Sequence, residues 1–501
     1  MFDTKLFVCK KASQLNIDIN QALFRERYPA GKFRDGKDYP AVDELRPLSL
    51  LNASIPTLFQ YTGKDELIPP PERSRPRKEL QAATLLRAIQ AKSYWAEEWI
   101  SFWRDHFSVY GYEQNVGAFL PHWESEVIRK HAFGNFRQFL EATATHPCML
   151  YYLNNKSSRA GSANENYARE LFELHTLGRS AYLNNLYAQW REVPGALQGK
   201  PRGYIDQDVY EAARAFTGWT VEDGIGIGGG QNLPKTGQFI YLESWHDNYQ
   251  KRILANEFDP YSGPMKDGKR VLDLCAYHPA TAHHLMRKLI KRMVNDEPSE
   301  KMIQGAQAVF IEHRNAPNQL SLLSKYVAKL AASVPKEGRQ KVKKPMRLAA
   351  AFINAVNLPF DIAEGKIMPQ IESAGPALYG WVSPEGPPDG LQWNLSAAYL
   401  KQRVSLIQGL AENWWGTGEW NPFSNLAPSP TYNQLLSRWE MPLFGQSRPE
   451  LSLALIRSQG LTGFERLSDI KVARKMVGYL ACSPSFQTEA IEPDFSAGES
   501  V

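Results

Sequence analysis

Apolar residues recur at helical spacing from Lys78 to Ala481, and few stretches alternate as strands do. This periodicity limits the fold more than any other feature. Leu80, Ala83, Leu86, Ile89 and Ala91 keep near-3.6 spacing. Ser93 to Tyr110 continues the pattern, with Trp95, Trp99, Phe102, His106 and Tyr110 on one stripe. Helices are expected over Trp123 to His131, Phe136 to Thr145, Asn164 to Thr176 and Asp208 to Thr217. More follow over Pro279 to Asn295, Glu300 to Ile311, Leu320 to Ala332, Pro345 to Val356, Leu395 to Glu412, Ser447 to Arg457 and Ile470 to Ala481. The expected class is mainly α: a large multi-helical single chain with long irregular loops and few short strands.

Prolines 56, 69, 70, 71 and 76 break long helices near the start. Residues 1–75 therefore read as an N-terminal arm, with one short helix near Ile19 to Tyr28. Residues 76–490 read as the helical domain and 491–501 as a tail. Residues 182–268 interrupt the domain as a loop insertion, rich in Gly and turn-formers toward its end. Residues 372–393 form a Pro/Gly loop around Trp381.

At 43% hydrophobic and 22% charged residues, the composition excludes a disordered or fibrous chain. The formal charge of +5 is mild for 501 residues, and the short basic runs Arg73 to Lys78 and Lys341 to Lys344 carry no interleaved aromatics. No nucleic-acid partner is expected. The four cysteines are far apart, with no C-x-x-C. The longest apolar run near the start, Leu6 to Cys9, is too short for a signal peptide. No stretch approaches the roughly 20 apolar residues that span a bilayer. These features point to the cytoplasm and to no membrane association.

The segment Asn164 to His175 carries the most chemistry. At ~100° per residue, Asn166, Arg169, Glu170 and Glu173 share an arc of about 100°, with His175 on the other side. Two carboxylates at i and i+3 can serve one metal, or act as acid and base on one substrate. The ordinary alternative is the wet face of an amphipathic helix. His106 differs in sitting on an aromatic stripe, where it is either a satisfied core histidine or a ligand or base. His246-Asp247 can supply two ligands from a turn. His278 and His283-His284 read as surface or packing residues. Gly224 to Gly229 matches G-x-G-x-x-G, but no βαβ unit surrounds it, so it reads as a flexible loop without nucleotide.

Asn164 to Gly178 resembles, almost residue for residue, the central motif of a bacterial family known only as "domain of unknown function eighteen hundred". Trp99 to Phe107, Ile128 to Phe136, His146 to Asn154, Asp208 to Trp219 and His246 to Lys251 resemble its other segments. So do His278 to Lys288, Lys344 to Ala355, Gly375 to Arg403 and Ala481 to Gln487. The resemblance implies no reaction. It implies a possible partner protein encoded nearby. Where the family commonly has W-H-N-H-F, this chain has Trp103-Arg104-Asp105-His106-Phe107.

Together these features suggest an enzyme with a buried polar site in a helical fold. His106, Glu170 and Glu173 are the candidate catalytic groups. These three with His246 and Asp247 are the candidate metal ligands, and Asn166 and Arg169 support them. Such a His and carboxylate set suits iron, manganese or zinc. Redox or hydrolytic chemistry on a small molecule or peptide would follow. The alternatives are a non-catalytic partner or scaffold and, as a minor variant, a haem oxidoreductase. The last rests on Asp105-His106, which resembles distal motifs of animal-type peroxidases, with no proximal ligand identifiable.

Overall fold

The aromatic stripe becomes a central packing axis of the molecule. Ser93 caps helix α2 (Tyr94–His106) by accepting from Ala96 N, after α1 (Arg75–Gln90) ends at Ala91. Trp95, Trp99, Phe102 and Trp103 are almost wholly buried. Their polar edges are mostly met: Trp99 Nε1 donates to Ala132 O at 2.7 Å and Trp95 Nε1 to Ser324 Oγ at 3.0 Å. The computed structural model describes residues 19, 22–64, 67–91, 93–360, 362, 366–390 and 396–498. The N-terminal segment with Cys9 and the start of the helix expected at Leu395 lie outside these.

Helices dominate, and the strands form short two-stranded antiparallel sheets among the described residues. Helices α3 (Phe136–Thr145), α4 (Glu165–Glu170), α5 (Asp206–Ala215), α6 (Pro279–Met293), α7 (Pro345–Val356), α8 (Ala397–Ala411) and α9 (Ile470–Ala481) fall where apolar spacing placed them. Asn135 caps α3, accepting from Arg137 N and Gln138 N, and Asp469 caps α9 in the same way. Pro345 opens α7, where its missing N–H costs nothing.

The short helix expected near Ile19 to Tyr28 is instead a strand, β1 (Leu23–Tyr28), paired antiparallel with β2 (Val42–Pro47). Phe24, Glu26 and Tyr28 point inward while their neighbours face out. The buried side includes a charge, Glu26, met by Lys78 Nζ at 3.1 Å. Residues 22–64, expected as an arm, also carry Leu50, Leu58 and Phe59 into the main core. At the other end Ile491 and Ala497 join it. Within 182–268, a small separate cluster of Val193, Ala196 and Ile205 forms, and β3 (Trp219–Asp223) pairs with β4 (Lys235–Tyr241). No helix among the described residues is long and apolar enough to cross a membrane.

Candidate functional site

Asn164 starts α4, its side chain accepting from Asn166 N at 2.9 Å. After Glu170 the helix widens into a π turn over Leu171–His175. Such turns add a residue and re-aim side chains, and are common at functional sites. Glu170 and Glu173 remain on a common, partly exposed side. Their surroundings differ. The Glu173 carboxylate accepts from Arg179 Nε at 2.7 Å, and Arg179 also lies 3.8 Å from Glu385. No donor among the described residues reaches the Glu170 carboxyl. Burial and the charge of Glu173 push its pKa up to about 7, against the pull of Arg179 and Arg169. Burial, and next the nearby Glu170 charge, raise the Tyr152 phenol, and its hydroxyl donates to Val382 O at 2.6 Å. Arg169 faces Glu165 at 3.4 Å and Asp206 at 3.7 Å, and Asn166 Nδ2 donates to Leu153 O.

His106 is 1% exposed and belongs to a different group. Its Nε2 bonds to His175 O at 3.1 Å, and its Nδ1 faces Lys288 Nζ at 3.2 Å. With Lys288 donating, Nδ1 is the acceptor and Nε2 carries the proton. His284 Nε2 donates in the same manner to Leu174 O at 3.0 Å. Two histidines thus satisfy carbonyls at the end of the π turn. His175, as buried as His106 and with its ring 6.1 Å from it, has neither ring nitrogen bonded. Burial lowers all three, aided by the Lys288 charge: His106 well below the usual range, His284 to about 4 and His175 to about 3. Burial also lowers Lys288, to about 8, against the attraction of Asp389.

His246 and Asp247 form a third group. His246 Nδ1 lies 2.9 Å from Thr217 O and its Nε2 3.4 Å from Asp267, which also accepts from Lys251 Nζ at 2.7 Å. Asp247 is held by two parallel bonds from Arg214, at 2.8 and 3.0 Å. The expected joint site is therefore not assembled. Glu170 and Glu173 stay together, whereas His106, His246 and Asp247 are each engaged elsewhere. Among the described residues no three His, Cys, Asp or Glu side chains gather to hold a metal ion.

Spacing along the chain gave no sign of a cavity of ≈ 140 Å³ between α2, α7 and the loop from Pro376 to Gly390. Its charged wall holds Glu98, Asp105, Arg292, Lys344 and Asp389. Arg292 pairs with Glu98 at 3.0 Å, Asp105 at 2.8 Å and Asp389 at 2.6 Å. Lys344 Nζ donates to Asp105 at 2.7 Å and Ser101 Oγ at 2.8 Å. Burial pushes the Asp105 carboxyl up, but Lys344 and Arg292 outweigh it and hold it at about 2. Arg104, which stands where the family commonly has a histidine, makes two bonds to buried Glu124, at 2.9 and 2.5 Å, and Tyr379 OH donates to the same carboxylate. The chain thus uses Arg104 and Asp105 as hubs of two ion-pair networks. The Gly224 to Gly229 motif lies in a hairpin, with Gly226–Gly228 paired to Gln231–Asn232 and positive φ at Gly228, Gly229 and Gly230. No helix follows to aim N–H groups at a phosphate.

Fold and sites together define a mainly helical protein with a split carboxylate pair at a π turn and a separate charged cavity. A family model described as "Protein of unknown function (DUF1800)" matches residues 15–488, and the chain belongs to that family. No curated protein matches it, and no solved structure does.

Proposed function

We propose that the protein is an enzyme whose proton transfers are carried by Glu170, with Glu173 as its charged partner, on a small molecule or peptide. One observation carries this reading: two carboxylates share a face, but only Glu173 is met by a guanidinium. Pairs whose surroundings push them apart are the usual mark of an acid and a base working together. Glu170, at about 7, exchanges a proton readily near neutrality. A hydrolytic reaction suits such a pair best. Bound metal has no role in this reading, which stands on the two side chains alone.

Titration of the Glu170 carboxyl by carbon-detected NMR tests it directly. A midpoint near 7 that vanishes in Glu170→Gln is expected, and a midpoint in the ordinary range of about 4.3 would refute the assignment. In a screen of ester, amide and glycoside substrates, the same variant should lose ~10²–10⁴ in rate. The sign of the stability change follows from the raised pKa. The folded state holds its proton between about 4.5 and 7, so stability falls as pH rises through that window. Glu170→Gln should therefore be more stable than wild type at pH 8 by about 1 kcal/mol, after discount for solvent screening, and equal to it at pH 4.

The second reading, a binding partner for another protein, draws support from exposed tyrosines near one another on the 182–268 segment. Tyr249 and Tyr261 are 69% and 76% exposed, and their loops are joined by Tyr261 N to Asn248 O. Aromatic residues of this kind are favoured at interface centres. Loss of a co-purifying protein in a Tyr249→Ala, Tyr261→Ala double variant would favour it, and unchanged behaviour would count against it.

A further inference from the structure

The cavity beside α2 and α7 balances three cations against three carboxylates. Arg292 and Lys344 in its wall, with Lys288 behind them and close enough to feel Asp389 and Asp105, supply the positive charge, and Glu98, Asp105 and Asp389 the negative. The other charged side chains at its rim are paired among themselves or with outside partners, as Arg347 is with Glu489 and Lys341 with Asp296. Two of the three carboxylates, Glu98 and Asp105, project from α2, so helix geometry fixes them. Asp389 comes from a loop, in the turn Pro387-Pro388-Asp389-Gly390, where Gly390 has a φ of +130°.

Arg292 records the difference. It is 3% exposed, and its two terminal nitrogens make aligned hydrogen bonds to Glu98 and Asp105. Its Nε lies 2.6 Å from Asp389 Oδ1, yet the bond is misdirected, and Nε–H is left without an aligned acceptor. Asp389 neutralises the guanidinium without completing its bonding. A carboxylate free of the chain can approach in the plane of the fork and do both. The cavity is also lined by the apolar side chains of Ala88, Pro345, Met346 and Ile371. The volume of ≈ 140 Å³ is close to the ~150 Å³ cavity known to hold benzene.

We propose that this cavity binds a small monocarboxylate, whose head replaces Asp389 on Arg292 and whose apolar part lies against Pro345, Met346 and Ile371. Asp389 is then a built-in competitor. When it swings out, the floor keeps one net positive charge, which a single ligand carboxylate neutralises. A neutral amide leaves that charge uncompensated. A cation adds to it, and a dicarboxylate buries one negative charge too many.

Calorimetric titration of the full chain with benzoate tests the proposal, with benzamide as the neutral control. Benzoate should bind the wild type weakly and Asp389→Asn at least tenfold more tightly, because Asn keeps the volume but not the competing charge. Benzamide should bind neither. N-acetylphenylalanine, titrated in parallel, separates a free acid from a peptide C-terminus: tighter binding than benzoate assigns the site to peptide ends, weaker binding to free acids. Asp389→Ser guards against a defect particular to Asn, and thermal melts confirm that both variants fold. If both variants fold and neither carboxylate binds either of them more tightly than wild type, the proposal fails. It fails equally if benzamide binds as well as benzoate.

Discussion

His175 carries an imidazole into the core with neither nitrogen hydrogen-bonded, 5.4 Å from the Phe107 ring and 6.1 Å from that of His106. Buried polar atoms in this condition are rare and costly. An apolar ring of similar size removes that cost, so His175→Phe should stabilise the protein at pH 7.5 by ~1–3 kcal/mol. The pH dependence sharpens the test. Burial, with the charges of Lys288 and His284, depresses His175 to about 3 in the folded chain, against 6.5 when unfolded. The unfolded state therefore takes up the proton first. Stability from the neutral ring is complete above about 6.5 and is lost as pH falls toward 3. Urea melts from pH 7.5 to 4 should show wild type falling away from His175→Phe by one proton's slope. Parallel curves, or a variant less stable than wild type at pH 7.5, would mean that the ring has a partner.

At the level of elements, the π turn after Glu170 organises the candidate site, and it was not legible in the sequence. A wheel of 3.6 residues per turn put Glu170 and Glu173 on one side and His175 on the other, and the structure keeps that division. At the widened turn His106 and His284 reach the carbonyls of His175 and Leu174 from 69 and 110 residues away. Local caps were readable, so Phe136–Thr145, Pro345–Val356 and Ile470–Ala481 fall where expected. Helix Tyr432–Phe444 carries Pro442 inside it, which argues against a helix there, and Lys266–Ala276 keeps helical spacing at Val271, Leu272, Cys275 and Ala276 but opens with the turn-formers Asp267 and Gly268. Strand β1 escaped notice because Glu26 lies on its buried side. The cavity floor escaped for a stronger reason: Asp105 meets Arg292 and Lys344 across 187 and 239 residues, which no spacing rule spans. Gly178 offers a test of the turn. Its φ is +87°, and a Cβ there would lie 2.6 Å from His284 Nδ1. Gly178→Ala should cost ~3 kcal/mol or more, from backbone strain plus displacement of His284. Gly161→Ala, at φ +77° with open space around it, carries only the backbone share, ~1–2 kcal/mol. Equal losses in the two variants would show that His284 gives way freely and that the turn does not depend on it.

Across the whole molecule, one core runs from Ala22 and Phe24 to Ile491 and Ala497. Its N-terminal part is built in by more than apolar contact. Glu79 on α1 is buried, and its carboxylate accepts from Leu50 N at 2.7 Å and from Arg75 Nε at 2.7 Å. Arg75 in turn reaches Ser49 Oγ, and Glu72 accepts from Tyr28 OH. Removal of residues 1–69 would take Leu50, Leu58 and Phe59 out of the core and leave Glu79 without its backbone donor. Burial already raises the Glu79 carboxyl to about 7 in spite of these partners. A buried carboxylate that loses one of its two donors costs about 1–3 kcal/mol and an opened core several more, out of a typical total of ~5–15 kcal/mol. A chain of residues 70–501 should therefore fail to unfold cooperatively, or should melt at least ~10 °C below the full chain. Circular dichroism melts and limited proteolysis of the two chains decide the matter. A truncated chain that keeps the full chain's melting temperature and protease resistance would mean that the first 69 residues rest on a core able to stand without them.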